Sequence, residues 1–149
     1  MPRRRYSQAI VNRFRVRRLG ITVVKSRHLV NRRDLNVFGT EFLQALSTGF
    51  SSKDSSGCEK FITDDFELIT TFRPMSRQEF LDWVASGGSP TTISDIEPIY
   101  ENDEVAVIYH NVDTRDLEGN ARPGKLMCCG SKRDGKFYVW RVARQGDKT

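Results

Sequence analysis

Apolar residues recur at helical spacing from residue 38 onward. Phe38, Phe42, Ala45, Leu46 and Phe50 form one stripe, which predicts an amphipathic helix with a single buried side. Gly49 and the run Ser-Ser-Lys-Asp-Ser-Ser-Gly (residues 51–57) end or interrupt it. Residues 66–72 alternate and read as a short extended segment closed by Pro74. Ser76 and Glu79 stand at capping-box spacing ahead of a second amphipathic run. Phe80, Leu81 and Val84 give that helix its buried side, and Gly87 with Gly88 stops it.

After Pro90 the period shortens to two. Residues 93–100 read as a strand in which Pro98 marks a bulge or an edge. Residues 105–112 form a longer apolar strand after the Asn102-Asp103 turn, and residues 113–124 read as a polar hairpin loop or bent connection. Residues 126–131 and 137–143 make the last pair, joined through Asp134-Gly135, a strong hairpin signal. The chain is expected to fray from Gln145. Helices first and a meander afterwards predict an α+β fold: a cone with N-terminal helices packed against a strongly bent antiparallel sheet.

That order, with particular segments, resembles the nuclear-transport-factor-2-like superfamily and its SnoaL-like branch of polyketide cyclase relatives. The similarity covers roughly residues 36–144. It is carried by Phe61-Ile-Thr-Asp-Asp-Phe66, by residues 72–84, by Asn102-Asp-Glu-Val-Ala-Val-Ile-Tyr109, and by Lys132-Arg-Asp-Gly-Lys-Phe-Tyr-Val139. The resemblance implies a curved sheet around a mostly apolar pocket and dimerisation through the sheet. Its members include ketosteroid isomerases, polyketide cyclases, dehydratases, epoxide hydrolases, transport adaptors and assembly domains, so the fold names no single reaction.

Charge divides the chain in two. Of 24 Lys and Arg residues, 11 fall within residues 1–33, and all 19 Asp and Glu residues come later. Residues 1–33 read as a basic extension, either a targeting segment or a disordered one, and 34–149 as the folded domain. The expected localisation is cytoplasmic for a bacterial source and mitochondrial or plastid for a eukaryotic one. The extension carries no nucleic-acid module, and the domain behind it is acidic, so nucleic acid is not an expected partner. Contact of this extension with a polyanion is the alternative its charge suggests. No apolar run reaches the roughly 18 residues of a transmembrane helix.

Cys58, Cys128 and Cys129 have neither disulfide-framework nor zinc spacing and read as reduced thiols. Two histidines and no HExxH motif argue against an all-histidine metal centre, and no cofactor is expected.

Candidate chemistry gathers on the strands. Alternation sends Tyr109 and His110 to opposite faces, with Val105, Val107 and Asn111 beside Tyr109, and Ala106, Ile108 and Val112 beside His110. Both faces are apolar, so either can line a pocket and the other meet a partner subunit. His110 or Asp95 is the candidate general base, with Glu97 on the same side as Asp95. Tyr109 is the candidate oxyanion donor and Arg141 the candidate for orienting a substrate. His28, in the basic extension, is a poor candidate. Trp83, Phe80, Tyr100, Phe137 and Trp140 are candidate pocket walls, with core or interface packing as their alternative role.

Two functional readings follow. The first is a homodimeric domain that binds a small apolar or cyclic ligand or serves assembly. The second is a cofactor-free isomerase, cyclase or dehydratase acting on a small cyclic or polyketide-like compound.

Overall fold

The structure is a computed structural model that describes residues 37–88, 91–115 and 118–145. The basic extension, residues 1–33, lies outside the described residues, which begin in the domain at Val37. Helix α1 (Phe38–Ser52) buries Phe42, Leu43, Leu46 and Phe50, the face that the apolar stripe marks out. It ends at Lys53, which adopts a left-handed conformation (φ 55°).

The serine-rich segment then does something its composition conceals. It forms a one-turn helix, α2 (Ser56–Glu59), whose Cys58 is fully buried. Burial by the rest of the domain overrides a local sequence that reads as a loop.

Strand β1 (Ile62–Ile69) pairs antiparallel with the short β2 (Pro74–Ser76), which leads directly into α3 (Arg77–Ala85). The capping box forms as the spacing predicts. The Ser76 hydroxyl accepts from the Glu79 backbone N–H, and the Glu79 carboxylate accepts from the Ser76 N–H at 2.8 Å. The bond from the Ser76 N–H holds the Glu79 carboxyl below its ordinary range, with the Arg73 guanidinium and then the Ser76 hydroxyl adding to the effect.

Strands β3 (Thr92–Glu101), β4 (Val105–Arg115), β5 (Ala121–Arg133) and β6 (Lys136–Gln145) complete a six-stranded sheet in the order β2-β1-β6-β5-β4-β3. Strand β3 is an edge, and its register slips between Ser94 and Glu97 and again between Pro98 and Tyr100. Pro98 is thus tolerated where no further ladder bond is needed. Residues 113–115 and 121–124, expected in a loop, instead extend the β4–β5 ladder as far as Arg115 opposite Ala121. Asp134 and Gly135 both have positive φ and close the β5–β6 hairpin.

The α+β class stands, with one difference in pairing. The sequence predicts only antiparallel neighbours, whereas β1 lies parallel to β6, with Leu68 opposite Trp140. This pair joins segments about seventy positions apart, beyond any local turn signal.

Helices and the inner sheet face enclose one aromatic core. Phe42 sits at its centre, edge-on to Trp140 at 4.9 Å and within 6.4 Å of the rings of Phe61, Phe66, Phe80 and Phe137. Close approach is required at Gly130, where a Cβ would lie 2.5 Å from atoms of both Phe137 and Trp140.

At the opposite end of α1, a carboxylate and an ammonium are buried together. Lys132 Nζ lies 2.6 Å from Glu101 Oε1, with side chains 3% and 0% exposed. Glu101 also accepts from the Gly39 N–H at 3.1 and 3.2 Å, which places a negative charge at the helix N-terminus. Lys132 donates further to the Asn102 carbonyl at 2.8 Å and lies over the rings of Phe38 and Phe137.

Candidate functional site

A cavity of about 380 Å³ opens between the inner sheet face and helices α1 and α3. Its walls are mainly aromatic and aliphatic: Phe42, Leu46, Phe50, Phe80 and Trp83 from the helices, and Ile93, Val112, Leu126, Trp140 and Val142 from the sheet. The polar lining comprises Thr70, Thr71, Arg73, Thr91, His110, Cys128 and Arg144. No Asp or Glu appears among the described residues that line it.

The strand alternation resolves in favour of His110. With Ala106, Ile108 and Val112 it belongs to the buried face of β4, and it is only 2% exposed. His110 Nδ1 lies 3.1 Å from the Asn111 carbonyl oxygen. A carbonyl can only accept, so Nδ1 carries the proton of the neutral ring and Nε2 carries the lone pair.

Nε2 in turn faces Cys128 Sγ at 3.4 Å. Burial pushes the Cys128 thiol up to about 12, so it stays protonated and donates to Nε2; a hydrogen bond from Trp140 to the sulfur acts in the opposite direction. Two donors therefore run in one sense, from Cys128 to His110 and from His110 to the Asn111 carbonyl. A protonated thiol of this kind is a poor nucleophile.

Burial lowers the His110 pKa from its ordinary value of 6.5, and the hydrogen bond to Asn111 only partly opposes it. The ring is neutral at pH 7. Because the folded-state value lies below the unfolded one, the unfolded chain takes up this proton first as the pH falls. The associated stability is complete above about pH 6.5 and declines as the pH falls toward the depressed folded value. Urea midpoints measured from pH 7.5 to 5.5 should drop in the native sequence, and His110→Asn should flatten that drop. An unchanged slope in the variant would show that another group titrates there.

The structure separates the other candidates from His110. Tyr109 points to the opposite sheet face, where its hydroxyl donates to Gln145 Oε1 at 2.6 Å. Asp95 is exposed at a positive-φ bulge (50°) and accepts from Asn111 Nδ2 at 2.6 Å. Glu97 is exposed opposite Tyr109, and Arg141 is exposed opposite Cys129. None of these four lines the cavity.

Of the predicted walls, Phe80, Trp83 and Trp140 line it. Phe137 is fully buried behind Trp140, with ring centroids 4.7 Å apart, and Tyr100 is half exposed on the edge strand.

Two lining groups escaped the sequence reading. Arg144 continues the inner-face series Trp140, Val142, Arg144 on a strand expected to end at Ala143. Its guanidinium lies against Gly124, where a Cβ would come within 2.7 Å of it, and Nη2 donates to the Arg122 carbonyl at 2.7 Å. Cys128 continues the β5 series Leu126, Cys128, Gly130, an alternation that could have placed it beside His110.

Solved structures share this architecture. An NTF2-like protein from Anabaena variabilis ATCC 29413 superposes on 74% of this chain and 88% of its own, with a TM-score of 0.60 and 15% identity. The chain has the NTF2-like fold.

Two further solved structures are similar to it. TerC, co-crystallized with polyporic acid, matches with a TM-score of 0.57 and 20% identity over 72% of this chain and 92% of TerC. A protein assigned as a SnoaL-like polyketide cyclase from Jannaschia sp. CCS1 matches with a TM-score of 0.55 and 12% identity over 74% of this chain and 88% of its own. At these identities the NTF2-like likeness is one of fold. No protein-family model matches the chain, and no curated protein does.

Among the described residues no helix is long and apolar enough to cross a membrane. Among the same residues no group of three or more His, Cys, Asp or Glu is placed to hold a metal ion.

Proposed function

We propose that this NTF2-like domain binds a small apolar, cyclic ligand in the cavity between its helices and its sheet. The observation that carries this reading is the cavity itself. At about 380 Å³ it falls in the roughly 300–1,000 Å³ range of small-molecule sites, and apolar walls surround a few polar groups. A core built only for stability would be filled by its own side chains.

The chain's two tryptophans, Trp83 and Trp140, both line the cavity, so intrinsic emission reports on its occupant. Titration with naphthalene should change that emission saturably. Leu126→Phe, which fills part of the space, should weaken the response at least tenfold, about 1.4 kcal/mol. A response that is linear and the same in both proteins would remove the ligand-binding reading.

The outer sheet face is the surface for a second copy in the homodimeric form of this proposal. Met127 is 47% exposed there, beside half-buried Val107, Tyr109 and Cys129.

The second reading is a cofactor-free isomerase, cyclase or dehydratase, and the His110 tautomer favours it. A neutral imidazole with its Nε2 lone pair inside an apolar cavity is suited to proton abstraction near neutral pH. His110 would then be the base without help from Asp95, Tyr109 or Arg141, which lie outside the cavity.

A further inference from the structure

We infer that Phe72 is a specificity-determining residue of the cavity, set at its mouth to stack on an aryl group at the outer end of the ligand. The inference rests on the ligand-binding reading above and names the chemistry of that ligand's exposed end.

Three observations carry it. First, Phe72 belongs to the cavity and to the surface at once. It lines the space between helices and sheet, yet it is 87% exposed, more than any other large apolar residue among those described. The other aromatic walls are not: Phe42, Phe50, Phe80 and Trp140 are buried, and Trp83 is half-buried. A lone surface aromatic is ordinary. One at the rim of an apolar cavity has a ring that an occupant of that cavity would cover.

Second, the rim is held in place. Phe72 sits in the turn between β1 and β2, where the Thr70 hydroxyl accepts from the Phe72 N–H at 3.2 Å and the Arg73 N–H at 3.3 Å. The same hydroxyl donates to the Arg73 carbonyl at 3.0 Å. Arg73 Nη1 then ties the turn to α3 through Glu79 at 2.9 Å. A turn fixed in this way has less freedom to lose when a ligand arrives.

Third, the two ends of the cavity differ. Its inner end carries His110, Cys128 and Trp140, each 2% exposed or less, and its outer end carries Thr71, Phe72 and Arg73, all exposed. Leu68 and Phe72 line one wall four residues apart, so that wall passes from core to solvent within at most about 14 Å at the Cα atoms. Of the three outer residues only Phe72 offers a ring. Offset or edge-on contact with it favours an aryl group over an aliphatic ring by about 2–10-fold in affinity.

Fluorescence titration of the full chain with naphthalene, 2-phenylnaphthalene and 2-cyclohexylnaphthalene tests this. Cyclohexyl is the more hydrophobic substituent, so apolar burial alone ranks the cyclohexyl compound first. Stacking on Phe72 should reverse that order, with the phenyl compound bound about 2–10-fold more tightly.

Phe72→Leu keeps apolar surface without a ring and should restore the cyclohexyl preference, whereas Phe72→Tyr should retain the phenyl one. Urea midpoints of both variants should match the native midpoint, because the residue is exposed. Native protein that binds the cyclohexyl compound at least as tightly as the phenyl one overturns the inference while the ligand-binding reading stands. So does a phenyl preference that survives Phe72→Leu. Absence of saturable binding by all three probes sinks both.

Discussion

Replacing Glu101 by alanine should cost the fold about 3–5 kcal/mol, the range expected when one member of a buried ion pair is removed. The loss has two physical parts. Lys132, 3% exposed at its side chain, would be left among Phe38, Phe137 and the Asn102 carbonyl with no counter-ion. The Gly39 N–H, in the first turn of α1, would lose its acceptor.

Glu101→Gln separates these parts, since the amide oxygen can still accept from Gly39 while the charge is gone; its loss should be smaller. The double variant Glu101→Leu/Lys132→Met removes both charges and should recover most of the stability, because a buried pair and an apolar pair of similar volume are often close in energy. Equilibrium urea unfolding of the singles and the double provides the cycle. A single-variant loss under about 1 kcal/mol would mean that water reaches the pair, as it does for a surface bridge.

Phe42→Ala should be comparably severe, at about 3–5 kcal/mol. The ring is 1% exposed and touches the aromatic partners contributed by β1, α3 and β6, so truncation leaves a void that no single neighbour can fill. Phe42 also lines the cavity between helices and sheet, and the void would merge with it. Phe42→Leu, which keeps most of the volume, should lose much less. Urea midpoints for the two variants give the comparison, and equal losses would show that the aromatic edge contacts, rather than volume, set the cost.

What the sequence made legible was local. The α1 stripe, the Ser76–Glu79 capping box and the Asp134-Gly135 turn each depend on residues close together in the sequence, and each formed as expected. Features that depend on distant partners were hidden. Cys58 looks like a loop residue until the domain closes over it, where burial raises its thiol to about 11.

The site was partly legible for the same reason. Alternation put Tyr109 and His110 on opposite faces, but both faces are apolar, and only the packing of α1 decides which one is inside. Asp95 lies at the β3 bulge, where the register slips between Ser94 and Glu97 and simple alternation no longer fixes a face. Arg144 was missed because the strand runs two residues past the point where its composition turns polar.

The parallel pairing of β1 with β6 also fixes the order in which this domain can be completed during synthesis. Phe61, Phe66 and Leu68 emerge early, yet their neighbours Phe137 and Trp140 belong to the final strand of the described sheet. While residues 77–135 are being made, β1 has β2 beside it and no partner on its other edge. Closing a loop of that length costs chain entropy before any contact returns it, so ribosome-bound intermediates lacking residues 136–145 expose an unpaired strand edge and the Phe38 and Phe42 rings that pack on Phe137 and Trp140. Nascent chains halted before Lys136 should therefore need a chaperone that the finished chain does not.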